Sequence, residues 1–328
     1  MKIIPSYLKL VSNGTLKLRA EKAYANLKSC TSCPRDCNAN RIDGELGICT
    51  SGYLPVVSSY TKHFGEEPVL SGTKGAGNIF FGNCNLKCIY CQNFEISQNP
   101  KSERQNEVSH ERLAEIMIEL QKRGCHNIGL VSPTHFSATI LKSIYIAAQQ
   151  GLNLPIIYNT NGYDSVEMLK HYDGVVDIYL PDFKYGSSEY AKKYSLVDNY
   201  FEKTKEALKE MFRQVGDELI YNNDVVVRGM IVRHLILPND LSETEKVFKF
   251  IAEELSPNIH ISLMSQYYPT NKSYKDILID RPIRKTEYEK ALALLEKYEL
   301  HNGWIQELES SENYRPNFNE DRINPFKN

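Results

Sequence analysis

Long apolar runs, a basic excess and a leader-like N-terminus are all absent from this 328-residue sequence. No run approaches the ~18 apolar residues of a membrane-spanning segment, so we expect no membrane span. The formal net charge is −2, from 39 basic and 41 acidic residues, which argues against a dedicated DNA-binding protein. Residues 1–20 are too polar for a secretory signal peptide. We therefore expect a cytoplasmic protein.

The bulk composition is that of a soluble globular protein, with 41% hydrophobic and 24% charged residues. A chain of this length can bury a full core without disulfide bonds. Its eight cysteines are nevertheless clustered: four lie between Cys30 and Cys49, three between Cys84 and Cys91, and Cys125 is alone. In a reducing cytosol, clustered cysteines indicate metal or cluster ligands rather than disulfides.

Hydrophobic periodicity predicts alternating strands and helices beyond residue 57. The predicted strands are 78–83, 127–132, 154–158, 175–180, 225–237 and 259–264. The predicted helices are 110–123, 137–150, 165–171, 188–194, 199–215, 243–255 and 286–298. Such alternation predicts parallel β-α units, and six strands are too few for a closed eight-fold barrel. We therefore predict a partial (β/α)6 open barrel, with a doubly wound sheet as the alternative. In both folds the site lies at the carboxyl ends of the strands.

Three regions are expected along the chain. Residues 1–57 form a small cysteine-rich extension that begins with an amphipathic stretch at 7–27. Residues 58–300 form the partial barrel, and residues 301–328 form a C-terminal tail. The last stretch, 310–328, is polar and rich in Pro and Asn, so we expect it to be loosely attached.

The strongest local signal is the segment IFFGNCNLKCIYCQN, which places Cys84, Cys88 and Cys91 on a tight loop after a predicted strand. Three thiolates can hold three irons of a [4Fe-4S] cubane and leave the fourth iron open. Zinc is the competing metal, but a structural zinc site needs a fourth ligand. No Cys or His lies between Cys91 and His110. Packed core cysteines are the third alternative.

The C-x3-C-x2-C spacing, with the aromatic Tyr90 before the third cysteine, resembles the radical S-adenosylmethionine (radical SAM) superfamily. The resemblance implies that the open iron binds the amino and carboxylate groups of SAM. An electron from the reduced cluster then cleaves the sulfonium C–S bond, giving methionine and a 5′-deoxyadenosyl radical that abstracts hydrogen from a substrate. The resemblance also implies an anaerobic setting and a low-potential electron donor such as flavodoxin or ferredoxin.

The segment FFGNCNLKCIYCQN further resembles the cluster loop of pyruvate formate-lyase activating enzymes. The segments HFGEEPVLSG, VSPTHF, YNTNGY, DIYLPDFKY, GMIVRHLILP and MSQYYP resemble an uncharacterised family related to those enzymes. One implied function is therefore activation of a glycyl-radical protein by hydrogen abstraction from a glycine. The alternatives are radical modification of a small molecule, an RNA or a protein side chain, and non-catalytic iron–sulfur or zinc binding.

Polar residues at the predicted strand ends are expected to contact SAM. The same resemblance assigns Asn159, Thr160, Asn161, Asp182, Lys184 and Arg233 to this role. Gln266 and Tyr267 are expected at the adenine or ribose because they end the last predicted strand. Arg233 resembles an arginine of the activating enzymes and is expected at the SAM carboxylate or ribose. Adjacent strand residues point to opposite faces, so His234 is expected to be a hydrogen-bonded packing residue.

One position departs from the superfamily pattern. A Gly-Gly-Glu type motif, which binds the SAM amino group, usually follows the second strand, but here residues 132–135 are Ser-Pro-Thr-His. No carboxylate is present in this segment. We expect Thr134 or backbone carbonyls to take its place, or His135 to line the substrate cavity.

The first cysteine group is SCTSCPRDCNANRIDGELGIC, with Cys30, Cys33, Cys37 and Cys49. Four thiolates can enclose Zn²⁺ tetrahedrally or hold a second [4Fe-4S] cluster, and both alternatives stay open beside a set of free thiols. Cys125 is expected to be a buried, inert thiol.

Overall fold

A mostly parallel sheet forms the centre of the fold, in a computed structural model that describes residues 4–308 and 316–326. The strands found in these residues are β1 Val57–His63, β2 Ala76–Phe81, β3 Ile128–Val131, β4 Ile156–Thr160, β5 Ile178–Pro181, β6 Ile220–Asn222, β7 Val225–Leu235, β8 His260–Met264 and β9 Gly303–Ile305. Their order is β1-β2-β3-β4-β5-β7-β8-β9, and β6 pairs with β7. The strands from β2 to β9 on this path are parallel, whereas β1–β2 and β6–β7 are antiparallel.

The strand order follows the chain without the reversal that a doubly wound sheet requires. Within the described residues β1 and β9 do not pair, so the sheet stays open. The six predicted strands correspond to β2, β3, β4, β5, β7 and β8. The predicted open α/β partial barrel is therefore confirmed.

Helices lie before and between these strands along the chain. Their bounds are α1 Tyr7–Ser12, α2 Thr15–Ala25, α3 Pro68–Ser71, α4 Phe94–Ser97, α5 Pro100–Glu103, α6 His110–Lys122, α7 Ser137–Gln149, α8 Val166–His171, α9 Ser188–Ser195, α10 Tyr200–Val215, α11 Thr244–Phe250 and α12 Lys285–Lys297. A π-helical turn, Ile251–Leu255, continues α11 and completes the predicted helix 243–255. None of the described helices is both long and apolar enough to cross a membrane.

Local sequence explains the central elements. All residues of β2, β3 and β5 are buried, as expected for parallel strands covered on both faces. Ser109 caps α6 by accepting a hydrogen bond from the Arg112 amide at 3.0 Å. In α10 the buried positions recur at helical spacing and face the sheet side of the helix.

The sequence prediction lacks β1, β6 and β9. The strand β1, VSSYTKH, has a weak apolar pattern, and β6 and β9 have three residues each. Each of these strands exists because a neighbouring strand pairs with it, and such pairing is invisible to local periodicity.

The C-terminal residues also differ from expectation. The Phe318 ring is fully buried, and its centroid lies 5.5 Å from that of Phe80 and 6.2 Å from that of Phe326. The interpretation of 310–328 as loosely attached is therefore wrong for residues 316–326, because two apolar rings in a polar stretch pack on β2. Residues 309–315 and 327–328 lie outside the described residues.

Candidate functional site

A cavity of about 520 Å³ lies at the carboxyl ends of the parallel strands. Parallel strands bring the residues that follow them to one edge of the sheet. The wall accordingly includes most of the predicted site residues: Cys84, Cys88, Tyr90, Cys91, Asn159, Thr160, Asn161, Asp182, Lys184, Arg233 and Gln266. Apolar side chains of Phe80, Leu86, Val131, Leu235 and Trp304 complete it.

The three cysteines of the loop after β2 open onto this cavity, and each sulfur has a polar neighbour. Asn161 Nδ2 lies 3.5 Å from Cys84 Sγ, Ser195 Oγ lies 3.0 Å from Cys88 Sγ, and Ser97 Oγ lies 3.2 Å from Cys91 Sγ. Burial raises the pKa of all three thiols, that of Cys88 to about 12. Thiolates at these positions therefore need a bound cation, and the surrounding donors suit sulfur that carries negative charge.

A series of hydrogen-bonded hydroxyl groups ends at the Cys88 sulfur. The Tyr90 hydroxyl donates to the Tyr185 hydroxyl at 2.7 Å, and Tyr185 and Ser195 share a hydrogen bond of 2.7 Å. Ser195 donates in turn to Cys88 Sγ. The aromatic residue before the third cysteine thus orients the second cysteine through two residues that the sequence did not single out.

Arg233, on β7, is held between two carboxylates. Its Nε lies 2.8 Å from Glu67 Oε1 and its Nη2 lies 2.6 Å from Glu67 Oε2, and it also pairs with Glu66. Burial would lower the pKa of Arg233, but the two carboxylates hold it well above its usual range. Burial would raise the pKa of Glu66, but Arg233 keeps it below its ordinary value. All three side chains line the cavity, so its wall carries stable charges of both signs.

A second ion pair lies beside the cysteines. Lys184 Nζ is 2.5 Å from Asp182 Oδ2, and both side chains line the cavity. Burial would lower the pKa of Lys184, but the Asp182 carboxylate and the Cys88 thiol raise it overall. Lys184 is therefore a fixed cation facing the loop that carries the cysteines.

Sequence comparisons identify the family to which this chain belongs. Residues 78–236 match the model of the Radical SAM superfamily. An uncharacterized protein of Methanocaldococcus jannaschii, MJ0674, is 34% identical over 316 residues, which cover 89% of this chain and 82% of that protein. A second uncharacterized protein of the same organism, MJ0808, is 27% identical over 319 residues, covering 90% and 87%. The chain belongs to the radical SAM superfamily.

Two solved structures align with parts of the chain. TsrM, a radical SAM methyltransferase from Kitasatospora setae with cobalamin and a [4Fe-4S] cluster bound, aligns with a TM-score of 0.40 at 13% identity, over 58% of this chain and 37% of TsrM. TYW1 with a lysine–pyruvate adduct bound aligns with a TM-score of 0.39 at 11% identity, over 69% of this chain and 74% of TYW1.

As a radical SAM enzyme, the protein uses a [4Fe-4S] cluster and SAM. The three cavity cysteines fit the cluster, because together they would supply three thiolate ligands from one loop that lines the cavity. The relation to pyruvate formate-lyase activating enzymes stays a prediction.

Three residues named from the sequence lie outside the cavity wall. Thr134 is buried beneath it, with its Oγ1 3.0 Å from Thr160 Oγ1. His135 Nε2 is 2.8 Å from the Gly82 carbonyl oxygen, and burial lowers its pKa to about 3, so His135 is neutral. The Tyr267 hydroxyl donates to the Ile279 carbonyl at 2.5 Å. Ser132, at a left-handed φ of 57°, lines the cavity instead.

The prediction for His234 is confirmed. Its Nδ1 lies 2.7 Å from the Phe183 carbonyl oxygen and its Nε2 lies 3.0 Å from Thr244 Oγ1. Burial lowers the pKa of His234 to about 4, so the ring is a neutral packing group.

Glu66 and Glu67 are the main charged residues of the cavity wall that were not predicted from the sequence. They lie in the β1–β2 connection, within the segment HFGEEPVLSG. Residues 132–135 indeed lack a carboxylate, but these two glutamates bring carboxylates to the same cavity. The consecutive acidic residues just before the cluster loop were the available signal.

Cys125 is buried, as expected, and all eight cysteines are free thiols. In the N-terminal extension Cys30, Cys33 and Cys49 are buried and Cys37 is half-buried. This extension touches the cavity region, because Arg35 Nε donates to the Asn85 carbonyl oxygen at 3.0 Å, next to Cys84.

Proposed function

We propose that the protein reductively cleaves SAM and abstracts hydrogen from a substrate bound in the 520 Å³ cavity. The observation that carries the proposal is the convergence of the three cluster cysteines with ionised side chains from later strand ends on one wall. When bound, the cluster supplies the electron for cleavage of the sulfonium C–S bond.

The charged residues of the cavity match the ionic groups of SAM. Lys184 and Arg233 are cations suited to a carboxylate, and the guanidinium of Arg233 can bind it through two donors. Glu66 and Glu67 are suited to an ammonium group. Asn159 and Gln266 supply amide groups for hydroxyls or adenine nitrogens. Each of these charged side chains already forms an ion pair within the protein. Binding of SAM would therefore replace existing ion pairs with new ones to the ammonium and carboxylate groups of SAM.

Apolar residues serve a different purpose in the same cavity. Phe80, Leu86 and Trp304 present ring and aliphatic surface beside the polar groups. Such walls exclude water, which protects a reactive intermediate from side reactions.

Cleavage of SAM is tested directly by product analysis. Anaerobically reconstituted protein, reduced with dithionite or with flavodoxin or ferredoxin, should convert SAM to methionine and 5′-deoxyadenosine, measured by mass spectrometry. Cys88→Ala should abolish the reaction, whereas Cys125→Ala should retain it because Cys125 lies outside the cavity. Absence of 5′-deoxyadenosine from the reduced wild type would favour the non-catalytic metal-binding alternative.

The sequence leaves two classes of substrate open. A glycyl-radical partner predicts a glycyl-radical EPR signal when the enzyme, SAM and a candidate partner are incubated anaerobically. A small molecule, RNA or protein side chain predicts a mass change in that substrate without this signal. Deuterium transferred from a labelled substrate into 5′-deoxyadenosine identifies the hydrogen donor in either case.

A further inference from the structure

Four thiols converge in the N-terminal extension, outside the cavity described above. Cys30, Cys33 and Cys49 are buried and Cys37 is half-buried. Cys37 Sγ lies 3.9 Å from the Cys30 carbonyl oxygen, and the Asp36 amide donates to the Cys33 carbonyl oxygen at 3.1 Å, so these three cysteines lie on adjoining turns. The segment that carries Cys49 also approaches Cys37. Gly47 allows this approach, because a Cβ at that position would lie 2.4 Å from Cys37 Sγ.

The extension has little else to hold its shape around these sulfurs. Between residues 29 and 56 the one regular element in the structure is the 3₁₀ turn Arg41–Asp43. Leu46, Ile48 and Tyr53 are 58%, 46% and 40% exposed, so these apolar side chains do not form a core. Segments without a core of their own are commonly held by a disulfide or a metal, and all four cysteines are free thiols.

The backbone beside the thiols is also strained. Asp36 and Thr50 have left-handed φ angles of 42° and 58°. A β-branched residue such as Thr50 rarely adopts this conformation, which persists only where the surroundings impose it. Asp36 precedes Cys37 and Thr50 follows Cys49, so the strain lies next to two of the sulfurs.

A buried arginine brings positive charge to the thiols. Arg41 is 1% exposed, and its Nη1 lies 3.6 Å from Cys30 Sγ and 2.7 Å from the His135 carbonyl oxygen. No carboxylate in residues 4–308 or 316–326 forms an ion pair with Arg41. Arg35 has a buried Nη2 without a hydrogen-bond partner in the same residues. A buried cation needs a compensating anion, and thiolates are the candidate anions beside Arg41.

We propose that Cys30, Cys33, Cys37 and Cys49 bind a metal centre as four thiolates, with Arg41 as a counter-charge. Four thiolates and one Zn²⁺, or four thiolates and a [4Fe-4S]²⁺ core, carry a net charge of about −2. The Arg41 guanidinium beside Cys30 offsets part of this charge. Neither the four cysteines nor the cluster-loop cysteines are already arranged around a metal position in the described residues.

The second centre also connects to the radical SAM site. Arg35 donates to the carbonyl oxygen of Asn85, which follows Cys84. Arg41 donates to the carbonyl oxygen of His135, in the segment that replaces the Gly-Gly-Glu motif. A bound metal would thereby hold Arg35 and Arg41 in place. These two arginines contact the cluster loop at Asn85 and the turn at His135.

Metal analysis of a full-length variant tests the centre independently of SAM cleavage. Replacement of Cys84, Cys88 and Cys91 by Ala removes the first site. The anaerobically purified variant should still hold about one zinc, or about four irons with matching sulfide, measured by elemental mass spectrometry and sulfide assay. Four thiolates can bind either zinc or an iron–sulfur cluster, so either result supports the proposal.

Two further changes to this variant complete the test. Addition of Cys33→Ser and Cys37→Ser should remove the remaining metal, whereas addition of Cys125→Ser should leave it. A variant that folds by circular dichroism and holds neither metal before these additions would overturn the proposal. So would metal that survives Cys33→Ser and Cys37→Ser.

The arginines provide a test that leaves all four cysteines in place. In the same background, Arg41→Gln should weaken metal retention against a chelator by about 10- to 100-fold, because the charge beside the ligands is lost. Arg41→Lys should restore most of the retention. Equal retention in Arg41→Gln and the parent would contradict the assigned role of the charge.

Discussion

At the residue scale, the ion pairs of Arg233 with Glu66 and Glu67 join β7 to the β1–β2 connection across the cavity. The Asn78 side chain adds a hydrogen bond of 2.6 Å to Glu66. All three charged side chains are largely buried, so removal of one leaves an uncompensated charge. The same residues therefore act in folding and offer charged groups to a ligand.

Replacement of Arg233 by Met should lower the free energy of unfolding by about 3–5 kcal/mol, because two buried carboxylates lose their counter-charge. Addition of Glu66→Gln and Glu67→Gln should recover most of this loss. Urea unfolding of the metal-free protein measures both effects. Equal stability of the single and triple variants would argue against the charge explanation.

At the scale of elements, β9 shows how a three-residue strand completes the cavity. It pairs in parallel with β8 and carries Trp304, the single tryptophan of the chain, on the cavity wall. Gly303 begins the strand at a φ of 125°, and a Cβ there would lie 1.9 Å from the Ile261 carbonyl oxygen. The close approach of the two backbones therefore requires glycine.

Replacement of Gly303 by Ala should separate β9 from β8 and shift the Trp304 fluorescence to longer wavelength, because its ring becomes more exposed to water. Gly124→Ala is the matched control, since Gly124 also has a positive φ, of 81°, but no atom within 4 Å of its Cβ position. An unchanged spectrum in Gly303→Ala would contradict the expected separation.

At the scale of the whole molecule, hydrogen bonds to Asp177 connect the segment before α1 to the sheet. Its Oδ1 accepts from the Ser6 amide at 3.1 Å and its Oδ2 accepts from the Ile156 amide at 3.0 Å. Burial raises the pKa of Asp177 to about 6 despite these hydrogen bonds. In the unfolded chain this carboxyl titrates near ~4.

Because the folded-state pKa is the higher one, the stabilising contribution of protonated Asp177 is present below pH ~4 and is lost as the pH rises through ~6. Relative to the wild type, Asp177→Asn should therefore gain about 2 kcal/mol of unfolding free energy between pH 4 and pH 7. Urea unfolding at a series of pH values gives this difference. A difference that does not vary with pH would show that folding leaves the pKa of Asp177 unchanged.

The sequence by itself determined the parallel core and the cluster ligands. Strands β2 to β5 are mostly apolar, and segments with helical periodicity separate them, so the local pattern was sufficient. The spacing of Cys84, Cys88 and Cys91 is local as well, and it predicted the cofactors that family membership supports. Polar residues after strands could be assigned to one cavity because parallel strands share an edge.

Only the tertiary structure decided which groups meet across long separations in sequence. Glu66 and Arg233 are 167 residues apart, and Arg41 lies 94 residues from His135. Thr134 lies beneath the cavity and Phe318 lies on β2, although local polarity suggested other places for both. Charge pairing, strand pairing and burial at these positions depend on the closing of long loops, and no local pattern encodes their outcome.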